Sequence, residues 1–217
     1  MKKKKVLKVI LFIVLAIILV FLVINIRKML IIKDLCEKVE KYDTSNNYYE
    51  KITNNSGSIT EFYCKENNQL LVLNTTTQNE EKRKMSIYTK NGTKNTYIES
   101  GTEKVALLNN DNVLGSVNII SLKYNNLWDL FTMSIFTSIK DGQYKGKECY
   151  ILSFSKSDEI YIEKETGLRV YAKDGTITDE EGNTVVNIVE YEYEFENVDD
   201  KVFIEPNIEE YEVQEND

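Results

Sequence analysis

The stretch VEYEYEFE, residues 189–196, decides the fold of this chain. Apolar and aromatic side chains alternate strictly with glutamates along it. In an extended chain Val189, Tyr191, Tyr193 and Phe195 therefore face one side and the glutamates face the other. One apolar and one charged face predict a strand of an antiparallel sheet that is covered on a single side.

Further runs with the same period of two flank this strand. They are short, rich in β-branched and aromatic residues and separated by turn residues, and they fall within residues 58–109 and 143–198. Asn91-Gly92, between two such runs, is a strong hairpin signal. We therefore predict one antiparallel sheet of about nine strands. A twisted sheet of that length tends to curl, here into a half-barrel.

Two segments have a helical period instead. In the first, predicted over residues 29–52, the apolar residues Ile31, Leu35, Val39 and Tyr42 are spaced by four, four and three positions. The second is predicted over residues 125–139, with one face that Trp128 and Phe136 widen and that consists of Leu127, Leu130, Phe131, Ser134, Ile135 and Ser138. Helices of this kind bury their apolar faces on a sheet, so we expect both to pack on its concave side in an α+β fold.

The N-terminal region contains a longer apolar run, VILFIVLAIILVFLVI at residues 9–24. A helix from Val6 to Ile26 is about 31 Å long, close to the hydrocarbon thickness of a bilayer. Fifteen of its sixteen core residues are Leu, Ile, Val or Phe, and their insertion is favourable by about 5 to 9 kcal/mol. Because no small-residue cleavage site follows, we predict an uncleaved signal anchor that crosses the cytoplasmic membrane once.

The distribution of basic residues predicts the orientation of this anchor. Residues 2–5 are all lysine, with Lys8 close behind, whereas Arg27, Lys28 and Lys33 follow the span together with acidic residues. The denser cluster should stay in the cytoplasm. This makes residues 1–5 a cytoplasmic tail and residues 27–217 a single extracytoplasmic domain; the inverted topology is the alternative.

Composition argues against several classes of function. Five of the 27 basic residues precede residue 27, so the predicted domain has 22 basic and 35 acidic residues, a net charge of −13. Such a surface repels phosphate backbones, and we expect no nucleic-acid partner. The chain has no histidine, which removes the usual general base and the commonest zinc ligand. We expect no enzyme activity, catalytic residue, metal site or cofactor.

The three cysteines, Cys36, Cys64 and Cys149, leave two possibilities open. Cys64 and Cys149 both fall in predicted strands and could form a disulfide in an oxidising compartment. Buried free thiols in an apolar core are the other interpretation, and the one we favour.

Aromatic residues provide the candidate binding site. The chain has 14 tyrosines, many of them in predicted strands. They either cover an ordinary core or line an apolar cleft with their hydroxyl groups at its mouth. The candidate lining residues on strands and on the second helix are Phe131, Ile135, Tyr150, Tyr161, Tyr191, Tyr193 and Phe195.

Several local phrases resemble those of a known superfamily. YKGKECYIL at residues 144–152, IYIEKETGL at 160–168 and VDDKVF at 198–203 are similar to strands and turns of the LolA/LolB-like lipoprotein-carrier proteins. The resemblance implies a curved half-open sheet plugged by helices, with acyl chains held between them. It also implies a bacterial cell envelope, where other members are tethered partners of envelope enzymes or of stress and sporulation regulators.

Two hypotheses for function follow. In the first, the chain is a membrane-anchored module whose apolar groove binds a lipid, an acyl chain or a lipoprotein; anchoring makes shuttling between membranes implausible. In the second, it is an envelope interaction or regulatory protein with a filled core, and it contacts a protein partner through its acidic face or a sheet edge.

Overall fold

The structure is a computed structural model, and it describes residues 2–76, 81–109, 123–155, 157–178 and 184–215. A long N-terminal helix precedes six strands, a short helix and five further strands, and the C-terminal segment adds two 3-10 turns and a last strand. The helices and strands are α1 Lys2–Asp43, β1 Asn47–Asn54, β2 Ile59–Lys65, β3 Asn68–Thr76, β4 Lys82–Lys90, β5 Thr93–Ser100, β6 Glu103–Leu108, α2 Leu127–Phe136, β7 Ser138–Tyr144, β8 Lys147–Ser153, β9 Glu159–Glu163, β10 Arg169–Thr178, β11 Thr184–Phe195 and β12 Glu212–Glu215.

All described strands belong to one sheet, in the order β12-β6-β5-β4-β3-β2-β1-β11-β10-β9-β8-β7. Every neighbouring pair is antiparallel except β12 and β6, which are parallel. The predicted α+β class and the mostly antiparallel sheet are therefore confirmed. The half-barrel curvature stays a prediction.

The strand count differs from the prediction, because the described residues form twelve strands and not about nine. The additional strands are β1, β7 and β12. Two of them give weak signals in the sequence: β7, SIKDGQY, has few apolar residues, and β12 has only four residues. Neighbouring strands hold both of them in place, and their own propensity contributes little.

The hairpin predicted at Asn91-Gly92 is confirmed between β4 and β5. Both residues have positive φ angles, 49° for Asn91 and 86° for Gly92. These angles belong to the tight turn whose twist matches that of the flanking strands.

The helix predicted over residues 29–52 is too long, because α1 ends at Asp43 and β1 begins at Asn47. A backbone hydrogen bond from the Ser45 amide to the Tyr42 carbonyl, 3.0 Å, closes the turn between them. The next residues alternate between faces, with Tyr48 and Glu50 buried on one side. Tyrosine, isoleucine and threonine favour a strand here, and two flanking strands complete its ladder.

α1 has two parts with different surroundings. From Val6 to Ile26 its large apolar side chains are exposed on all sides, and it is long and apolar enough to cross a membrane. Beyond that point Ile32, Leu35 and Val39 are buried. Leu35 packs on residues of β8 and β9, and Val39 packs on residues of β2, β3 and β4. α1 therefore crosses the strands from the β7–β9 side towards the centre of the sheet.

The turn between β9 and β10 approaches the α1 backbone very closely at Gly167. This glycine has a φ of +75°, and a Cβ atom added to it would lie 2.5 Å from the carbonyl oxygen of Leu35. Only a residue without a side chain allows this contact. Lys38 secures the same contact, since its Nζ donates to the carbonyl of Lys164 at 2.7 Å.

α2 is shorter than predicted and lies elsewhere. It spans Leu127–Phe136 instead of residues 125–139, and it packs mainly on α1 and not on the sheet. Its buried residues are Leu130 and Ser134. Lys28 of α1 donates from Nζ to the carbonyl of Ser134 at 3.1 Å. The second part of α1 already covers the sheet. α2 therefore buries the face that contains Leu130 and Ser134 on α1.

Candidate functional site

The sheet splits between β10 and β11. The ladder between these strands begins with the pair Thr178 and Thr184. It ends with the pair Tyr171 and Glu190. β11 continues to Phe195, and this last part is paired only with β1 on its other side. A shift of register in β10, between Lys173 and Thr176, accompanies the divergence.

The peptide groups of the last part of β11 point into this split. The amide of Glu196 donates to the carbonyl of Asn47 at 2.9 Å, so the peptide groups of the even-numbered residues face β1. In an antiparallel ladder the peptide groups of alternate residues point to opposite sides. Those of Tyr193 and Phe195 therefore face the gap that β10 leaves.

A cavity of about 390 Å³ lies at the split, and we call it the β10–β11 cavity. This volume is within the range of about 300 to 1,000 Å³ that small-molecule sites occupy. The exposed surface of its wall is mostly apolar, although six of the thirteen lining residues are polar or charged. The lining residues are Tyr42, Tyr144, Lys145, Lys147, Glu163, Thr166, Leu168, Val170, Glu190, Tyr191, Glu192, Tyr193 and Phe195.

The lysines of this wall are both neutralised by neighbouring carboxylates. Lys145 lies 2.6 Å from Glu190, and Lys147 lies 3.2 Å from Glu163. The hydrogen bond from Lys145 lowers the pKa of Glu190 below its usual range. Thr166 also donates to Glu163, at 2.8 Å. These four charged groups are therefore paired with one another, and the fifth charged lining residue, Glu192, lies 3.7 Å from Lys51. The buried hydroxyl of Tyr144 has no hydrogen-bond partner among the described residues.

A buried carboxyl group lies directly behind the cavity wall. Glu50 of β1 is 2% exposed, and it is paired in the sheet with Tyr193, which lines the cavity. Loss of hydration raises the pKa of Glu50 to about 7; a hydrogen bond from Tyr193 and the charge of Arg169 oppose this shift. The Oε2 atom of Glu50 has no hydrogen-bond partner among the described residues.

Arg169 links this carboxyl group to the lining residue Tyr191. Its Nη1 donates to the Tyr191 hydroxyl at 3.0 Å, and its Cζ lies 5.1 Å from the centre of the Tyr191 ring. One guanidinium group therefore orients Tyr191 by a hydrogen bond and by a cation–π contact. Arg169 therefore holds the ring of Tyr191 in the cavity wall, and the titratable carboxyl group of Glu50 lies behind that wall.

The site offers binding groups but no evident reactive centre. Burial raises the pKa of the Cys64 and Cys149 thiols, and that of Cys36 to about 11, so all three are protonated near neutral pH. The three thiols are free. Across the described ranges, no group of three or more acidic or cysteine side chains is placed to hold a metal ion.

The structure brings three of the seven candidate residues together: Tyr191, Tyr193 and Phe195 line the cavity. The other four lie elsewhere. Tyr150 packs on the core around Leu35, and Tyr161 contacts Tyr171 edge to face with 5.0 Å between ring centres. The rings of Tyr161 and Tyr171 are nearly perpendicular, at an angle of 87°. Phe131 and Ile135 belong to α2.

Sequence reasoning missed Glu50, Tyr42 and Arg169 as parts of the site. The helix predicted over residues 29–52 includes Glu50, although Tyr48, Glu50 and Ile52 lie on one face of β1. A lone acidic residue in an otherwise apolar alternation is the signal that could have found it. Nothing local identifies Arg169, whose role depends on the register between β10 and β11.

Comparison of the whole chain with protein-family models and with curated protein sequences found no match. The resemblance to the LolA/LolB-like superfamily therefore stays a prediction. The site must be interpreted from its own geometry.

Proposed function

We propose that this chain is a membrane-anchored, extracytoplasmic binding protein that holds the apolar chain of a lipid or acyl group in the β10–β11 cavity. The observation that carries the proposal is the cavity itself, with an aromatic and aliphatic wall where the sheet splits. The anchor is the first part of α1, which is long and apolar enough to span a bilayer.

The wall favours an uncharged, apolar ligand body. Tyr42, Leu168, Val170 and Phe195 supply apolar surface, whereas the nearby lysines are already paired with carboxylates. An anionic ligand would have to displace Glu190 or Glu163 from these pairs. The hydroxyl groups of the lining tyrosines suit an uncharged ester end of such a ligand.

A second candidate is an envelope interaction protein, and the packing of α1 favours it. Ile32, Leu35 and Val39 fill the space that a lipoprotein carrier keeps open for its cargo. In this case the free edge of β11 would receive an extended segment of a protein partner. The glutamates of its outer face, including the exposed Glu192 and Glu194, would bias the choice towards a basic partner.

Photocrosslinking with a diazirine-labelled monoacylglycerol, an uncharged acyl ester, in membranes that contain the full chain separates the two candidates. For the proposed function, labelled peptides include residues 166–170 and 191–195. Lipid that merely surrounds the anchor labels residues 9–26 alone, and that pattern would contradict the proposal. Recovery of one dominant protein by chemical crosslinking, without labelling of the cavity, would favour the second candidate.

Variants that fill the cavity provide the control. Val170→Phe places a larger side chain in the wall and should abolish labelling of residues 191–195. Val186→Phe adds the same volume on β11, at an exposed position that does not line the cavity, and should leave labelling unchanged. Protease added to intact cells tests the orientation, because it should remove the domain beyond residue 27.

A further inference from the structure

α2 presents an unusual surface to solvent. Its sequence, LWDLFTMSIF, includes a single charged residue, yet Trp128 and Phe136 are each 72% exposed. A helix that is apolar on nearly all sides is normally buried. Here only Leu130 and Ser134 are buried, on the face that contacts α1.

The outward face forms a continuous apolar stripe. Trp128, Thr132 and Phe136 are spaced by four residues and so lie one above another on the helix surface. The hydroxyl of Thr132 donates to the carbonyl of Trp128 at 2.7 Å, so its polar group is satisfied within the helix. Leu127, 74% exposed, adds apolar surface at the first turn.

The position of α2 along α1 is the second observation. Lys28 contacts the last turn of α2, and it follows Ile26, the last residue of the predicted span, by two residues. At 1.5 Å per residue this is about 3 Å beyond the hydrocarbon boundary. The headgroup region extends about 5 to 8 Å beyond the hydrocarbon core on each side, so this turn of α2 lies within it.

We propose that α2 is an interfacial helix, which inserts the stripe of Trp128 and Phe136 into the outer boundary of the same bilayer that α1 crosses. This inference rests on the membrane anchoring proposed above. The partner is the zone between headgroups and acyl chains, where tryptophan is favoured because its ring is apolar and its indole N–H is polar. The domain is then held at two points, and the β7 edge of the sheet, which follows α2 directly, is kept close to the membrane.

Trp128 is the single tryptophan of the chain and therefore reports on α2 directly. The full chain is reconstituted into phosphatidylcholine–phosphatidylglycerol vesicles, and its fluorescence is quenched with brominated lipids or with aqueous iodide. We expect strong quenching by lipids brominated near the headgroups, weaker quenching by lipids brominated deeper, and protection from iodide. The variant Trp128→Phe/Val213→Trp moves the tryptophan to β12 at the opposite edge of the sheet and should reverse this pattern.

Each other outcome overturns the proposal in a recognisable way. Quenching of Trp128 by iodide alone shows that α2 faces water. Protection from both quenchers shows that a protein, either a second copy or a partner, covers the stripe. Flotation of the same vesicles tests the anchor separately: if the protein floats but Trp128 is not quenched by lipid, only the inference about α2 fails. If the protein does not float, the proposed anchoring itself fails.

Discussion

The two parts of α1 belong to one continuous helix but differ in how much of their circumference is apolar and in how much of it the protein covers. The first part is apolar on all sides, and nothing within the described residues covers it from Val6 to Ile24. The second part has one apolar stripe, Ile32, Leu35 and Val39, which the rest of the protein buries almost completely. The comparison shows that the angular width of an apolar surface indicates its partner: a full circumference suits lipid, and a narrow stripe suits a protein face.

The strongest test of this difference removes the same side chain from each part. Leu35→Ala removes a buried side chain of α1 that packs on β8 and β9. We expect the free energy of unfolding to fall by about 2 to 5 kcal/mol. Leu15→Ala makes the same change in the first part and should leave unfolding of the domain unaffected. Urea unfolding in nanodiscs, followed by the near-ultraviolet circular dichroism of the tyrosines, measures both. Equal effects would contradict the division of α1.

The second test uses Glu50, whose carboxyl group lies on the sheet face that α1 covers. The pKa of Glu50 is raised from 4.5 to about 7, so the folded chain binds this proton more tightly than the unfolded chain does. Stability therefore falls as the pH rises from about 4.5 to about 7, by roughly 3 kcal/mol in total. Glu50→Gln should remove most of this slope and make the protein more stable than the wild type at pH 8.

Denaturant unfolding at several pH values between 5 and 8 makes this measurement. Glu194→Gln removes an exposed carboxylate from the neighbouring strand, and we expect it to keep the pH dependence of the wild type. A wild-type stability that does not change between pH 5 and pH 8 would exclude a buried, protonated Glu50.

The third test concerns the contact between the second part of α1 and the split sheet. Gly167→Ala adds a Cβ atom 2.5 Å from the Leu35 carbonyl and should push the β9–β10 hairpin away from α1. Gly146→Ala has a similar positive φ, +82°, but open space around it. Both variants incur the backbone strain, about 1 to 2 kcal/mol. We expect Gly167→Ala to cost about 1 to 3 kcal/mol more, because of the steric clash.

Thermal unfolding of the two glycine variants in the same detergent gives this difference. If they are equally destabilised, the close approach of hairpin and helix does not contribute to stability.

The smallest expected effect lies at the junction of the two parts, where α2 packs. The Asn126 side chain accepts hydrogen bonds from the amides of Trp128 and Asp129 at 2.9 and 3.0 Å. Asn126→Ala should destabilise α2 by about 1 kcal/mol, seen as faster hydrogen exchange of residues 127–136. Asn207→Ala removes a similar cap from a distant turn and should leave that exchange unchanged.

The alternation in β11 and the apolar stripe of α1 could be predicted because each is a local pattern that its own burial enforces. The end of α1 at Asp43 could not be predicted as easily, since no glycine or proline follows the helix and the alternation of Tyr48, Glu50 and Ile52 is only three positions long. Part of the cavity wall was predicted through Tyr191, Tyr193 and Phe195. The cavity itself depends on where β10 leaves β11, and this register is a property of the assembled sheet.

The early end of the β10–β11 ladder has a consequence for how the domain opens. In most sheets the outermost strands lose their amide protection first. Here the amides of Tyr193 and Phe195, near the middle of a twelve-stranded sheet, face a gap without a strand partner. We therefore expect these two amides to exchange with solvent faster than amides that are paired on both sides, although they lie inside the sheet and not at its outer margin.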